Sequence, residues 1–199
     1  MTKNQEVFEE IVKRFVELKN TSELMIDLAY SSLMLNSSEL AQEVERLEEH
    51  MDNLHTKFEL LALQSGFKKE DASGILGLIR LGVATEKIAD AAAEIAEVVL
   101  RGIEPHPVLK LAIREAEETV MQVCVTDNSP LLNKTLKEAH VHEETGMWIL
   151  AIKRNKRSLR PKPSLRITFG DTLIASGYSE GVADLKKLAA PGQNCIPNE

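Results

Sequence analysis

The sequence predicts a chain in two parts: an antiparallel bundle of three long helices, then a small α+β domain. Two observations carry this expectation. Through the first half, apolar residues recur at three- and four-residue steps, which is the period of a helix face. Beyond Glu104-Pro105-His106-Pro107 they gather into short runs punctuated by Gly, Asn and Pro, the pattern of strands and turns. A third observation limits the class. No window approaches eighteen uninterrupted apolar residues, so no transmembrane helix is expected.

The first helix follows from Phe8, Ile11, Val12, Phe15 and Leu18, continued by Leu24, Met25, Leu28 and Leu33. It should run for about thirty residues and stop near Leu35-Asn36. Ser37 or Ser38 is placed to cap the second helix. Leu40, Val44, Leu47, Met51, Leu54, Phe58 and Leu61 form its apolar stripe, and Gly66 ends it. The third helix opens within Lys68–Ser73. Its face is read as Ile75, Ile79, Val83, Ile88, Ala92, Ile95 and Val99, up to Arg101-Gly102. At 1.5 Å per residue each helix spans roughly 45 Å, and short loops make such helices antiparallel neighbours. Ala84, Ala89, Ala91, Ala92, Ala93 and Ala96 let another helix come close. Three helices of this length leave apolar surface for a second copy to cover, which predicts a homodimer.

Pro105 and Pro107 make a rigid break. Val108–Glu117 reads as a shorter helix leading into a strand, Thr119–Val125. The apolar run Met147–Ile152, bounded by Gly146 and by Lys153-Arg154, is short enough for a buried strand. Asn155 turns the chain, Ser158–Arg160 returns as a short polar strand, and Pro161 and Pro163 stop it. Gly170-Asp171 is a second turn. Thr172–Ser176 is the next strand, closed by Gly177, and a helix over Ser179–Leu188 follows. The expected arrangement is a compact antiparallel meander.

Composition narrows the function. The 199 residues include 24 basic and 31 acidic ones, a net charge of −7, and the acidity is uneven. Residues 1–118 hold 13 basic against 23 acidic residues; the remainder hold 11 against 8. An acidic first part argues against nucleic-acid binding. Cys124 and Cys195 lie far apart without a CxxC pair, and the first ten residues lack the apolar core of a signal peptide. A reduced, cytoplasmic protein is expected, with Cys124 in the apolar run VMQVCV a core residue. His50, His55, His106, His140 and His142 form no ligand cluster, although His140-Val141-His142 on a strand would share one side. GxSxG, P-loop and GxGxxG patterns are all missing, so no enzyme is expected.

Several residues in the second part carry a family pattern in the right order: Leu136, Glu144-Thr145-Gly146, Ala151-Ile152-Lys153-Arg154, Pro161 or Pro163, Gly170-Asp171, Leu173 and Gly177. Over about residues 119–189 the chain resembles the RCK C-terminal domain, also called TrkA-C, a regulatory module of potassium channels and cation transporters. Asn133 stands where that family usually has Gly, and Asn also tolerates positive φ. In the first part, the helix Gly82–Glu97 resembles the signature helix of PhoU domains. That resemblance covers about residues 5–102, one three-helix unit where PhoU proteins have two.

Together the resemblances imply a division into a PhoU-like bundle (1–104), a connecting helix or linker (105–118), a TrkA-C-like domain (119–190) and a tail (191–199). They imply a cytoplasmic regulatory or accessory protein of cation transport, chiefly of potassium. It would work as a homodimer with a separate membrane channel or transporter subunit, without inserting into the membrane itself. The implied effector is a small ligand such as a cyclic dinucleotide. The dinucleotide-binding half of a full RCK unit is missing with its glycine fingerprint, so an NAD site is not carried over. The alternative is a PhoU-type regulator of phosphate response holding a divalent metal. The family's acidic motif falls on Glu86 and Asp90, which share one helix face; the plainer reading of that pair is a solvated acidic surface.

For the effector, the loop Asn128-Ser129-Pro130 is expected to open a helix whose N-terminus favours an anion. Pro130 lacks an N–H, so Leu131 and Leu132 would donate, and Arg154 would add a charge-assisted pair. The basic run Lys153–Arg166 suits either a solvated hairpin or this anion site.

Overall fold

The computed structural model describes residues 3–65, 72–102, 107–108, 111, 118–155 and 157–191. Most of the expected helix Val108–Glu117, the start of the Glu104–Pro107 break, and the tail beyond residue 191 lie outside them. The described residues fall into two units, one helical and one built on a sheet. No helix among them is long and apolar enough to cross a membrane.

The helical unit consists of α1 (Lys3–Leu35), α2 (Ser38–Gln64) and α3 (Ala72–Leu100). Asn36, at φ 49°, makes the tight step from α1 into α2, a left-handed conformation that Asn adopts more readily than most residues. The Phe15 and Phe58 rings meet at 5.6 Å, and His50 lies 3.5 Å from Glu17. Higher numbers on α1 thus face lower numbers on α2, the antiparallel arrangement expected. On α2 the buried residues Leu40, Val44, Met51, Leu54 and Phe58 are those of its sequence stripe. On α1 the stripe holds from Ile11 and Leu18 through Leu28, but Phe8 and Val12 face outward.

The face of α3 differs from the expectation. Its buried residues are Gly82, Ala89, Ala92 and Ala96. Ile88 is exposed, while Ile75, Ile79, Val83, Ile95 and Val99 are only half-buried. The reason is the closeness of α2. A Cβ added at Gly82 would lie 2.7 Å from Phe58 Cε1 and 3.0 Å from Phe58 Cδ1. At that approach only small side chains fit between the helices, and the large aliphatics are turned away from the contact.

The sheet unit contains β1 (Glu118–Cys124), α4 (Leu136–Ala139), α5 (Val141–Thr145), β2 (Met147–Arg154), β3 (Arg157–Leu159), β4 (Thr172–Tyr178) and α6 (Gly181–Ala189). The strands match their expected positions within a residue or two. Their order does not make a meander. It is β1-β4-β2-β3, all antiparallel, with β4 inserted between β1 and β2. The segment after β3 crosses back, bridging Arg166 to Thr135, before Gly170 at φ 80° turns it into β4. Gly177 was expected to close its strand and instead lies within it, opposite both Thr119 and Met147. A Cβ there would meet the Gly146 carbonyl oxygen at 2.6 Å. The close approach of the α5–β2 corner is what demands glycine. Val123, Leu131, Met147, Ile152, Leu173 and Leu185 belong to one buried aliphatic cluster, and Cys124 is buried as expected.

Candidate functional site

One concavity in the sheet unit is built on two very short helices. Thr135 Oγ1 accepts from the Glu138 N–H at 3.2 Å, and Glu138 Oε2 accepts from the Thr135 N–H at 2.8 Å. This reciprocal cap starts α4 where the chain leaves a turn. His140, at φ 45°, then redirects the chain into α5, which begins at Val141 and includes His142, so the two imidazoles are not ranged along one side of a strand. Gly146, at φ 69°, ends α5 and releases the chain into β2. The return segment is tied to α4: Leu136 N–H donates to the Leu165 carbonyl at 2.9 Å, and Lys137 N–H to the Pro163 carbonyl at 3.0 Å.

These constraints bring Lys137, His140, His142, Trp148, Ile149 and Lys162 to one groove of about 670 Å³. Trp148 is 61% exposed although it sits on a strand beside the fully buried Met147. Its ring stacks on His142, with centroids 3.7 Å apart and planes 20° apart. His142 Nδ1 is buried without a hydrogen-bond partner. Lys137 and Lys162 stand exposed on the rim. Glu143 is on the rim as well. Its carboxyl is held below the ordinary range, first by its own backbone N–H and then by His140. An apolar, aromatic lining with a mostly cationic rim suits a flat anionic molecule.

The residues expected to hold an anion sit elsewhere and are engaged internally. Ser129 Oγ donates to the Leu188 carbonyl at 2.9 Å and accepts from Leu131 N–H at 3.2 Å. Leu132 N–H donates to the Ser129 carbonyl at 3.1 Å. Residues 127–133 are turns and not a helix start, so neither Leu131 nor Leu132 offers a free donor. Asn128 is exposed beside them. Arg154 grips Asp171 through Nε to Oδ1 and Nη2 to Oδ2, both at 2.7 Å, and Nη2 also reaches the Arg166 carbonyl. Asp171 is fully buried and accepts further from Thr168 N–H and Oγ1. Its hydrogen bond to Arg154 holds the guanidinium charge more firmly than usual, against the opposing effect of burial. Arg154 therefore fastens the β4 turn to the end of β2. Arg166, from the same basic run, donates to the Asn133 carbonyl.

The sequence reading missed the groove because α4 and α5 are too short to leave a periodic signal. A signal was present nonetheless: the chain's single tryptophan lies six residues from His142, within a strand.

In the helical unit, Asp90 of the expected acidic pair meets Glu48 and Asp52 of α2, their oxygens within 4.8 Å of one another; Glu86 is not in this group. The Glu48 carboxyl is pushed up by burial first, then by Asp52 and Asp90. A cleft of about 380 Å³ beside them is also lined by Glu45, Glu94 and Glu97.

Comparison with known proteins agrees with both halves of this description. The TrkA-C domain family matches residues 120–190, and the PhoU domain family matches residues 15–99. The chain is 33% identical over 94 residues to Potassium channel protein 1 of Methanocaldococcus jannaschii, an alignment covering 46% of this chain and 28% of that protein. It is 21% identical over 115 residues to the ammonium/H(+) antiporter subunit AmhM of Alkalihalophilus pseudofirmus, covering 57% of this chain and 69% of that one. Among solved structures, the RCK_C domain dimer of S. agalactiae BusR in complex with c-di-AMP is 24% identical, with a TM-score of 0.36, and covers 39% of this chain and 96% of that one. Residues 15–99 thus match a PhoU domain and residues 120–190, after them in the chain, a TrkA-C domain.

Proposed function

We propose that this chain is a regulatory subunit of cation transport, with potassium as the ion, and that its TrkA-C domain senses a small anionic effector. The groove around Trp148 is the observation that supports sensing: it pairs an aromatic face with Lys137 and Lys162. A cyclic dinucleotide fits that chemistry, its bases against the Trp148–His142 stack and its phosphates toward the two lysines. The relatives named for a potassium channel and an antiporter subunit support the cation-transport role. The protein would act in the cytoplasm, as a binding protein and not an enzyme, on a membrane channel or transporter. Effector binding would shift the equilibrium between two arrangements of the assembly.

Calorimetry on the full chain with cyclic dinucleotides and mononucleotides tests this. Trp148→Ala should weaken effector binding by about 1–3 kcal/mol, the scale for stacking one base on an aromatic side chain, or about five- to a hundredfold in affinity. Affinity unchanged by the substitution, or no binding of any tested nucleotide, removes the sensing role.

A second reading is a PhoU-type metal-binding regulator of phosphate response, and the convergence of Glu48, Asp52 and Asp90 favours it. Three carboxylates from two helices suit a hard divalent cation. Protein purified without chelator should then carry metal, and Asp90→Asn should lose it. Metal-free protein whose melting is unmoved by added Mn²⁺ or Mg²⁺ returns the cluster to plain acidic surface.

A further inference from the structure

We propose that α3 packs antiparallel against α3 of a second copy of this chain, along a seam running from Gly74 to Val98. The inference stands on the helical unit alone and does not depend on the effector reading. Gly74, Gly77, Leu81, Ala84, Ile88, Ala91, Ile95 and Val98 follow one another at steps alternating between three and four residues. That is the repeat of a two-helix seam. Over this length it runs about 36 Å at 1.5 Å per residue. The buried residues of α3, Gly82, Ala89, Ala92 and Ala96, are not part of this repeat. Leu81, Ile88 and Val98 are 55%, 44% and 39% exposed, and Ala84 and Ala91 are exposed beside them. A Cβ added at Gly74 or Gly77 would meet nothing within 4 Å. Among the described residues the seam is open within one chain apart from the half-buried Ile95.

The order of side-chain sizes identifies the occupant. When the helix is laid antiparallel on its own copy, Leu81 faces Ala91 and Ile88 faces Ala84. In the same register Ile95 faces Gly77 and Val98 faces Gly74. Every layer sets a large residue against a small one, which fills space at close approach. A parallel copy would instead stack small on small and large on large, leaving gaps. The flanking charges agree with the antiparallel register. Arg80 and Glu94, both exposed, precede Leu81 and Ile95, and at these flanking positions each Arg80 faces Glu94 of the other copy, twice across the two-fold axis. Lys87 lies at the axis opposite itself, exposed and long enough to turn its charge into water.

The test uses the full chain. Sedimentation equilibrium should show the mass of the Ala84→Arg/Ala91→Arg variant at half that of the wild type, with helicity by circular dichroism unchanged, since both positions are exposed in the single chain. Assembly through the sheet unit would survive this variant and be seen as the remaining mass. Arg80→Glu should weaken association about tenfold, and Arg80→Glu/Glu94→Arg should restore it. Lys87→Cys should give a covalent dimer on mild oxidation, with peptide mapping placing the disulfide between the two introduced thiols. Equal masses for the wild type and the double-arginine variant overturn the proposal, whether because the chain is monomeric or because the seam serves a different protein. Failure of the Lys87→Cys variant to cross-link to itself overturns the antiparallel register.

Discussion

The two units of this chain bury their apolar residues by opposite means. The sheet unit closes on itself: Met147, Ile152, Ile167, Leu173, Ile174 and Leu185 are completely buried. One ion pair, Arg154–Asp171, joins the β4 turn to the end of β2. The helical unit joins α2 to α3 through small residues and leaves Leu76, Leu81, Ile88 and Val98 on its surface. The difference teaches that apolar content does not by itself measure self-sufficiency. A sheet with a helix across it has one inside. A helix that is apolar on more than one side has several faces to place, and a single neighbour uses one.

The contrast can be tested because the chain holds one tryptophan, Trp148, in the sheet unit, while most of its helix lies in the other. Tryptophan fluorescence then reports the first unit and ellipticity at 222 nm chiefly the second. The largest effect is expected from Asp171→Ala. Removing this carboxylate takes the acceptor from Thr168 and leaves Arg154 only the Arg166 carbonyl. The cost should be about 3 kcal/mol, the low end for breaking a buried pair, because Arg154 keeps partial access to water. The fluorescence transition should move to lower denaturant while the ellipticity transition stays in place. A shift of both together would break the division into two units.

Gly82→Ala is the matching change in the helical unit. The added methyl collides with the buried Phe58 ring, an overpacking that should cost about 1–3 kcal/mol. Here the ellipticity transition should move while fluorescence does not. No change in either would mean that α2 and α3 are less closely packed than described.

The smallest effect is expected at Glu48. Its carboxyl is raised in the folded chain, so the fold favours the protonated form. The resulting penalty is present above the folded pKa, and therefore at neutral pH. It disappears as the pH falls through the ordinary value of 4.5. Glu48→Gln should therefore stabilise metal-free protein at pH 7, by no more than about 0.5 kcal/mol for this partly exposed site, and the gain should vanish near pH 4. A gain that persists in acid would assign the effect to something other than the carboxylate cluster.

Much of the architecture was legible in residue order. The lengths of α1 and α2, the strand at Met147, the turns at Asn155 and Gly170, and the change of period between the two units all follow from short-range rules. A proline, a left-handed asparagine or an alternating run acts on its own neighbours. Both domain resemblances were legible for a related reason, since their motifs sit at corners such as Glu144-Thr145-Gly146 where local conformation is demanding. The face of α3 was not legible. Its aliphatics recur on more than one side, and the largest stripe is not the one that fits beneath Phe58. Sheet order was hidden as well, because β4 comes to β2 and β1 across sequence separations that no local signal encodes.

The candidate site shows the same division. Residue types in the sequence determined that Arg154 and Asp90 carry chemistry worth placing. Only the tertiary structure decided that Arg154 serves Asp171, that Asp90 meets Glu48 and Asp52 rather than Glu86, and that Trp148 joins His142 at an open groove. Charge and aromaticity belong to a residue wherever it stands, but what a side chain faces is set by packing between segments far apart in the chain.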